Sequence, residues 1–205
     1  MTIQDFEYAF SGNAFESEKT LHDTYCTLVK MCSDTDRADR FIQWVEKTDF
    51  FTAPASTKYH DAHRCGLVKH TLLVAKVMLD LAKLPQFSGI NISDAILTAL
   101  VHDLCKINFY EEYIRNVKDN NTGNWYEQKA YRCKGSQIPL GHGVTSLYMA
   151  MRFFCINMDQ ALAIRWHMSD YTASEHEKYD LMEANKCPMV QMLQIADRMA
   201  STLYT

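Results

Sequence analysis

Apolar residues recur along most of the chain at three- and four-residue intervals, the spacing of helices with one face in a core. From Glu18 to Met31 the stripe is Leu21, Tyr25, Leu28 and Val29; from Asp36 to Lys47 it is Phe41, Trp44 and Val45. Phe50–Tyr59 breaks the pattern with Pro54 and small polar residues and reads as a loop. Gly66–Leu84 carries Leu67, Leu73, Val74, Val77, Met78 and Leu81 on one face, with Pro85 as its stop. Ser93 is the expected N-cap of Asp94–Cys105, a segment so apolar that it belongs at the centre of a bundle. Helical spacing returns after Gly143 (Val144, Leu147, Met151, Phe154), in Asp159–Met168, and after Pro188 in a last helix from Met189 to about Tyr204.

Between residues 108 and 140 the period changes. Asp119-Asn-Asn-Thr-Gly123-Asn is a turn sequence, and Tyr110–Val117 and Trp125–Cys133 on either side tolerate extended structure. A β-hairpin inserted between helices follows. The expected fold is all-α: about seven helices with one small hairpin, in a single domain over residues 1–205. Residues 1–16 show no periodicity and read as a loosely held arm.

Composition supports helices. With 7 glycines and 4 prolines in 205 residues, the chain lacks the turn residues of a sandwich or a Rossmann-type fold, while 47% hydrophobic and 22% charged residues suit a globular core. The net charge of −4 argues against broad electrostatic binding to nucleic acid or an anionic membrane. It leaves room for a small phosphate-bearing ligand, since a metal supplies positive charge locally. Seven cysteines without a CxxC pair read as reduced thiols, with Cys105 and Cys155 expected to be buried in their apolar contexts. No stretch approaches the roughly 18 apolar residues of a membrane span, and the N-terminus lacks a signal-peptide pattern, so a cytoplasmic location is expected.

The candidate chemistry lies in histidines and aspartates on apolar helices. His102-Asp103 closes the apolar run Ala95–Val101, where two ionisable groups are costly to bury unless coordinated or hydrogen-bonded. Neighbours on a helix point about 100° apart, so the two are expected to serve different partners rather than each other. His70 sits one turn into its helix, on the face continued by Val74 and Val77. His142 stands between Gly141 and Gly143 at a helix start, His167 follows Trp166 at a helix end, and Asp197 interrupts an apolar last helix. An ion pair of Asp197 with Arg198 is disfavoured because adjacent residues do not face each other. Four imidazoles and two carboxylates on five helices, without thiolate, suit Mn²⁺, Fe²⁺, Ni²⁺, Zn²⁺ or Mg²⁺.

The order H…HD…H…H…D resembles the HD-domain superfamily of metal-dependent phosphohydrolases. The matching segments are Cys65-Gly-Leu-Val-Lys-His70-Thr, Leu100-Val-His102-Asp103-Leu-Cys-Lys106, Gly141-His142-Gly143, Arg165-Trp-His167 and Ile195-Ala-Asp197-Arg-Met-Ala-Ser201. The extra histidines are most similar to the two-metal subgroup, which includes the HD domain of 3′-5′ exoribonucleases and the HD-GYP phosphodiesterases, although the GYP motif is absent. The resemblance implies His70, His102, Asp103 and Asp197 as core ligands, with His142 and His167 completing a second site and Asp103 as bridge. One or two divalent ions would then activate water against a small phosphate ester, a nucleotide or a short oligonucleotide.

Lys106, one turn beyond Asp103, is expected to meet the phosphate, its bland alternative being an exposed helix-end lysine. His60 and His63, before the first ligand helix, are candidates to line the pocket or act as an acid, Asp61 a weaker one; a polar surface loop is the alternative. The hairpin sets Arg115, Lys118, Lys129, Arg132 and Lys134 against Asp119 and Glu127, so that Arg132 with Trp125, Tyr126 and Tyr131 could cover a nucleotide, or simply face solvent. Two other readings use the same ligands: a di-iron oxygenase, and a non-catalytic nucleotide-binding module.

Overall fold

A computed structural model describes residues 1–135 and 138–203. Nine α-helices and one hairpin are present among them: α1 (Ile3–Ala9), α2 (Glu18–Cys32), α3 (Thr35–Val45), α4 (Gly66–Leu81), α5 (Ile92–Val101), β1 (Tyr110–Lys118), β2 (Trp125–Cys133), α6 (His142–Met151), α7 (Met158–Trp166), α8 (Lys178–Ala184) and α9 (Pro188–Leu203). The all-α reading with a hairpin holds, with more helices than the expected seven. The far end of the last helix at Tyr204 lies outside the described residues.

The two helices that periodicity missed are each seven residues long, too short to repeat a 3.6-residue pattern. One of them corrects the reading of residues 1–16 as a loose arm. Thr2 and Asp5 form a capping box at the start of α1, and Phe6 and Phe10 enter the core at 0% and 7% exposure. The other, α8, is held by Leu181 and Ala184.

Helix α5 is the axis of the bundle. Ala95 through Val101 are all buried, and α4, α2, α7 and α9 pack around them. Its cap is Asn91 rather than Ser93: the Asn91 side-chain oxygen accepts from the backbone N–H groups of Ser93 and Asp94, so Ser93 already lies inside the first turn. Its end is Val101 rather than Cys105. Asp103 leaves the helical region (φ −111°, ψ 19°) and a 3-10 turn, Leu104–Lys106, follows. The α4 helix likewise stops at Leu81, and Pro85 opens a short 3-10 turn, as the restriction on residues before proline requires. Tyr25 of α2 ties this layer together: fully buried, its hydroxyl donates to the Leu100 carbonyl at 2.9 Å.

The hairpin forms where expected, with Tyr110 opposite Cys133 and Lys118 opposite Trp125. Both faces are largely exposed, so it stands off the bundle rather than covering core. Two of its bases are paired across the strands: Arg132 with Glu111 at 2.5 Å and Lys129 with Glu112 at 2.8 Å. Cys155 is exposed, against expectation, because Phe154 takes the inward position at the end of α6 and turns its neighbour outward.

Two glycines permit the close approaches that bring ligand helices together. A Cβ on Gly66 would stand 1.9 Å from the Asp61 carbonyl oxygen, and one on Gly143 would stand 2.2 Å from the Arg165 carbonyl oxygen. The second contact seats the start of α6 against the end of α7. Gly143→Ala therefore forces the two helices apart and is expected to destabilise the protein by about 1–3 kcal/mol or more. Urea unfolding measures this; wild-type stability in the variant would show that the approach is not required.

Candidate metal centre

Five helices deliver one side-chain cluster. His70 comes from the second turn of α4, fully buried. His102 caps α5 with Asp103 next, at 0% and 3% exposure. His142 is the first residue of α6, His167 caps α7, and Asp197 lies on α9. All six residues expected as metal ligands are thus brought together.

The carboxylate of Asp103 sits at the middle. Its Oδ2 lies 3.6 Å from His70 Nε2 and 3.4 Å from His102 Nε2. Its Oδ1 lies 2.9 Å from His142 Nε2 and 3.6 Å from His167 Nε2. Each oxygen therefore faces a different pair of imidazoles. Asp197 Oδ1 approaches His70 Nε2 at 3.1 Å. Three overlapping groups, His70/His102/Asp103, His102/His167/Asp197 and Asp103/His142/His167, each offer ligand atoms within 4.8 Å of one another. His102 and Asp103 were expected to diverge; their near approach follows from the helix ending between them, which swings the carboxylate back over the imidazole.

The rings are held from behind. His102 Nδ1 bonds the Ala99 carbonyl at 2.7 Å, and His167 Nδ1 bonds the Ile164 carbonyl at 2.8 Å. Only a protonated Nδ1 donates to a carbonyl, so each ring turns its Nε2 to the cluster, where the neutral imidazole offers a lone pair. His142 Nδ1 lies 3.3 Å from Cys105 Sγ, and Ser146 accepts from the Cys105 backbone N–H. Sequence reasoning did not place Cys105 or Ser146 here; Ser146, one turn after His142, was the available signal.

Charge is arranged to keep both carboxylates ionised. Burial would push the Asp103 carboxyl up, but Lys106, then His102 and His142, hold it well below its usual range. Burial likewise opposes ionisation of Asp197, and His70, His102 and His167 outweigh it. Lys106 is buried rather than a helix-end surface lysine. Its Nζ is 2.7 Å from Asp103 Oδ2, and that carboxylate, against the penalty of burial, raises the lysine above its ordinary value.

The remaining candidates divide. His60 stacks beside His70 with ring centroids 4.8 Å apart, and burial, then His70 and Lys106, lower its pKa to about 4. His63 instead bonds Asp61 Oδ1 at 3.1 Å and the Arg64 carbonyl, and Asp61 is buried in an ion pair with Lys69 at 2.7 Å. Those two brace the loop before α4 and are not gathered into the cluster. Arg132 is likewise engaged on the hairpin, by Glu111 and the face of Tyr113. Residues that had not been singled out line a cleft of about 450 Å³ against His167 and Asp197, among them Tyr171, Arg198, Ser201 and Thr202. Ser201, one turn after Asp197, shares its face; its Oγ lies 3.5 Å from Asp197 Oδ1.

The donor set fits a divalent metal. Among the described residues His70 Nδ1, His102 Nε2 and His167 Nε2 are buried without a hydrogen-bond partner. Each orphan nitrogen costs about 1–3 kcal/mol unless it is bound. Imidazole lone pairs and ionised carboxylates converging on one space are the ligands of Mn²⁺, Fe²⁺, Ni²⁺ or Zn²⁺. The fold and site together define a helical protein with a buried His/Asp cluster that could hold a metal. More specifically, the family model described as HD domain matches residues 67–202, and the chain belongs to that family, whose members are generally metal-dependent phosphohydrolases. No curated protein and no solved structure matches the chain.

A metal bound by these groups only in the folded state stabilises it by about 2.7 kcal/mol at a hundredfold excess over Kd. Thermal unfolding with added Mn²⁺ is expected to show this gain in the wild type and its loss in His102→Ala. An undiminished gain in the variant would remove His102 from the ligand set.

Proposed function

We propose that the protein is a metal-dependent phosphohydrolase acting on a nucleotide or another small phosphate ester, in the cytoplasm, as one domain. The observation that carries this reading is the division of Asp103: one carboxylate, two oxygens, and a separate pair of imidazoles facing each. His70, His102, Asp103 and Asp197 would hold one ion, and His142 and His167, with Asp103, a second. Divalent ions so held supply a nucleophile at neutral pH and a Lewis acid for the phosphoryl oxygens.

The chain's own groups do the rest. Lys106 is a fixed cation beside Asp103, positioned to bind a nonbridging phosphoryl oxygen and offset charge that grows in the transition state. It also favours an anionic substrate over dioxygen, which sets the hydrolase reading above the oxygenase one. His60, neutral at pH 7 with its Nε2 buried and unpartnered, offers a hydrogen bond rather than a charge. The cleft beside Asp197 gives Tyr171 and Arg198 to the organic part of the substrate: an exposed aromatic face and a guanidinium with no ion pair among the described residues.

The test is hydrolysis of bis-p-nitrophenyl phosphate, p-nitrophenyl phosphate and a nucleotide panel, with chelator and with each metal restored. Turnover is expected to vanish with chelator, to return with metal, and to require no O₂. Lys106→Ala is expected to lower kcat about 10²–10³-fold while metal content stays at the wild-type level. Hydrolysis unaffected by chelation, or O₂ uptake in place of hydrolysis, would reject the reading.

A further inference from the structure

A second group of ligand atoms lies on α2. His22 and Cys26 are one helical turn apart, and Glu46, at the C-cap of α3, reaches across to them. His22 Nε2 stands 3.0 Å from Glu46 Oε1 and 3.8 Å from Cys26 Sγ. All three ligand atoms lie within 4.8 Å of one another. Tetrahedral zinc with ordinary bond lengths separates its nitrogen and sulfur ligands by about 3.5 Å, and its nitrogen and oxygen ligands by about 3.4 Å. The observed separations straddle those values.

The other side of the ring carries the second feature. Asp23 Oδ1 lies 3.3 Å from His22 Nδ1. A carboxylate behind the imidazole fixes the tautomer that leaves Nε2 free for a metal. Phe51 lies against the same ring, centroids 4.5 Å apart, which restricts its rotation. A simple His–Glu ion pair between two helices needs neither the thiol nor the second carboxylate.

We propose that His22, Cys26 and Glu46 form a zinc site separate from the central cluster, with water as the fourth ligand and Asp23 positioning His22. A thiolate, an imidazole and a carboxylate are a donor set for zinc rather than for Mg²⁺ or Mn²⁺. Binding displaces the Cys26 thiol proton to solvent. The site clips the first half of α2 to the end of α3, next to the Phe50–Phe51 segment.

Titrating the reduced full chain with Co²⁺ tests this, because only a cysteine ligand gives thiolate-to-metal charge-transfer absorption. The central ligand set contains no sulfur. The band is expected in the wild type with the amplitude of one cysteine-ligated cobalt per chain, the central cluster taking up cobalt without contributing to it. It is expected to persist in Asp103→Asn and to vanish in Cys26→Ser and in His22→Ala. Zinc is expected to slow alkylation of Cys26 at least tenfold, read by mass spectrometry residue by residue. Should Cys26→Ser fold poorly, Glu46→Gln, a surface change, is expected to weaken the band's midpoint at least tenfold. No band in the wild type, a band that survives Cys26→Ser, or alkylation of Cys26 indifferent to zinc would overturn the assignment.

Discussion

A carboxylate with 3% of its surface exposed is the constraint around which this protein is built. Removing Asp103 from water costs several kcal/mol unless partners replace the lost hydration. Its partners come from distant parts of the chain: Lys106 from the following turn, and imidazoles from α4, α5, α6 and α7. Bringing them together requires α5 to run through the middle of the bundle, and so requires it to be apolar on all sides. It also requires glycine at residues 66 and 143, where α4 and α6 begin against other backbone. Packing and electrostatics are therefore one problem here, since the helices can close only if the charges they bring are mutually compensating.

That coupling explains what the sequence made legible. His102-Asp103 was readable because an ionisable pair at the end of Ala95–Val101 contradicts its surroundings. His70, His142, His167 and Asp197 were readable by the same contradiction, and all four join the cluster. The hairpin strands were nearly exact because Asp119–Gly123 is a local turn: the Asp119 side chain accepts from the Asn121 backbone, and Gly123 takes φ +73°. Local chemistry and gross polarity conflicts survive in one dimension.

What did not survive depends on the third. The short helices α1 and α8 owe their order to Phe6, Phe10 and Leu181 finding the core, which no local period announces. His63 and Arg132 had the right chemistry, but their local partners Asp61 and Glu111 claim them. The hairpin's basic residues suggested a lid, but the strand register sets Glu111 opposite Arg132 and leaves Glu112 within reach of Lys129. Conversely Cys105 joins His142, 37 residues away, only because α6 folds back on the turn after α5.

The cluster has two unequal sides. On one, Lys106, Cys105 and His142 border a narrow pocket of about 140 Å³. On the other, Asp197 and His167 open to the wider cleft containing Tyr171 and Arg198. On the proposed reading this asymmetry assigns the parts of a substrate. A phosphoryl group is small, carries the charge and belongs near Lys106, while the organic part needs volume and an aromatic face and belongs near Tyr171. The α2 side of the molecule meets this arrangement through a buried polar link, Tyr25 to the Leu100 carbonyl. Leu100 lies two residues before His102, so the Tyr25 hydroxyl and the aromatic packing around it seat α2 against the end of α5 that carries the site.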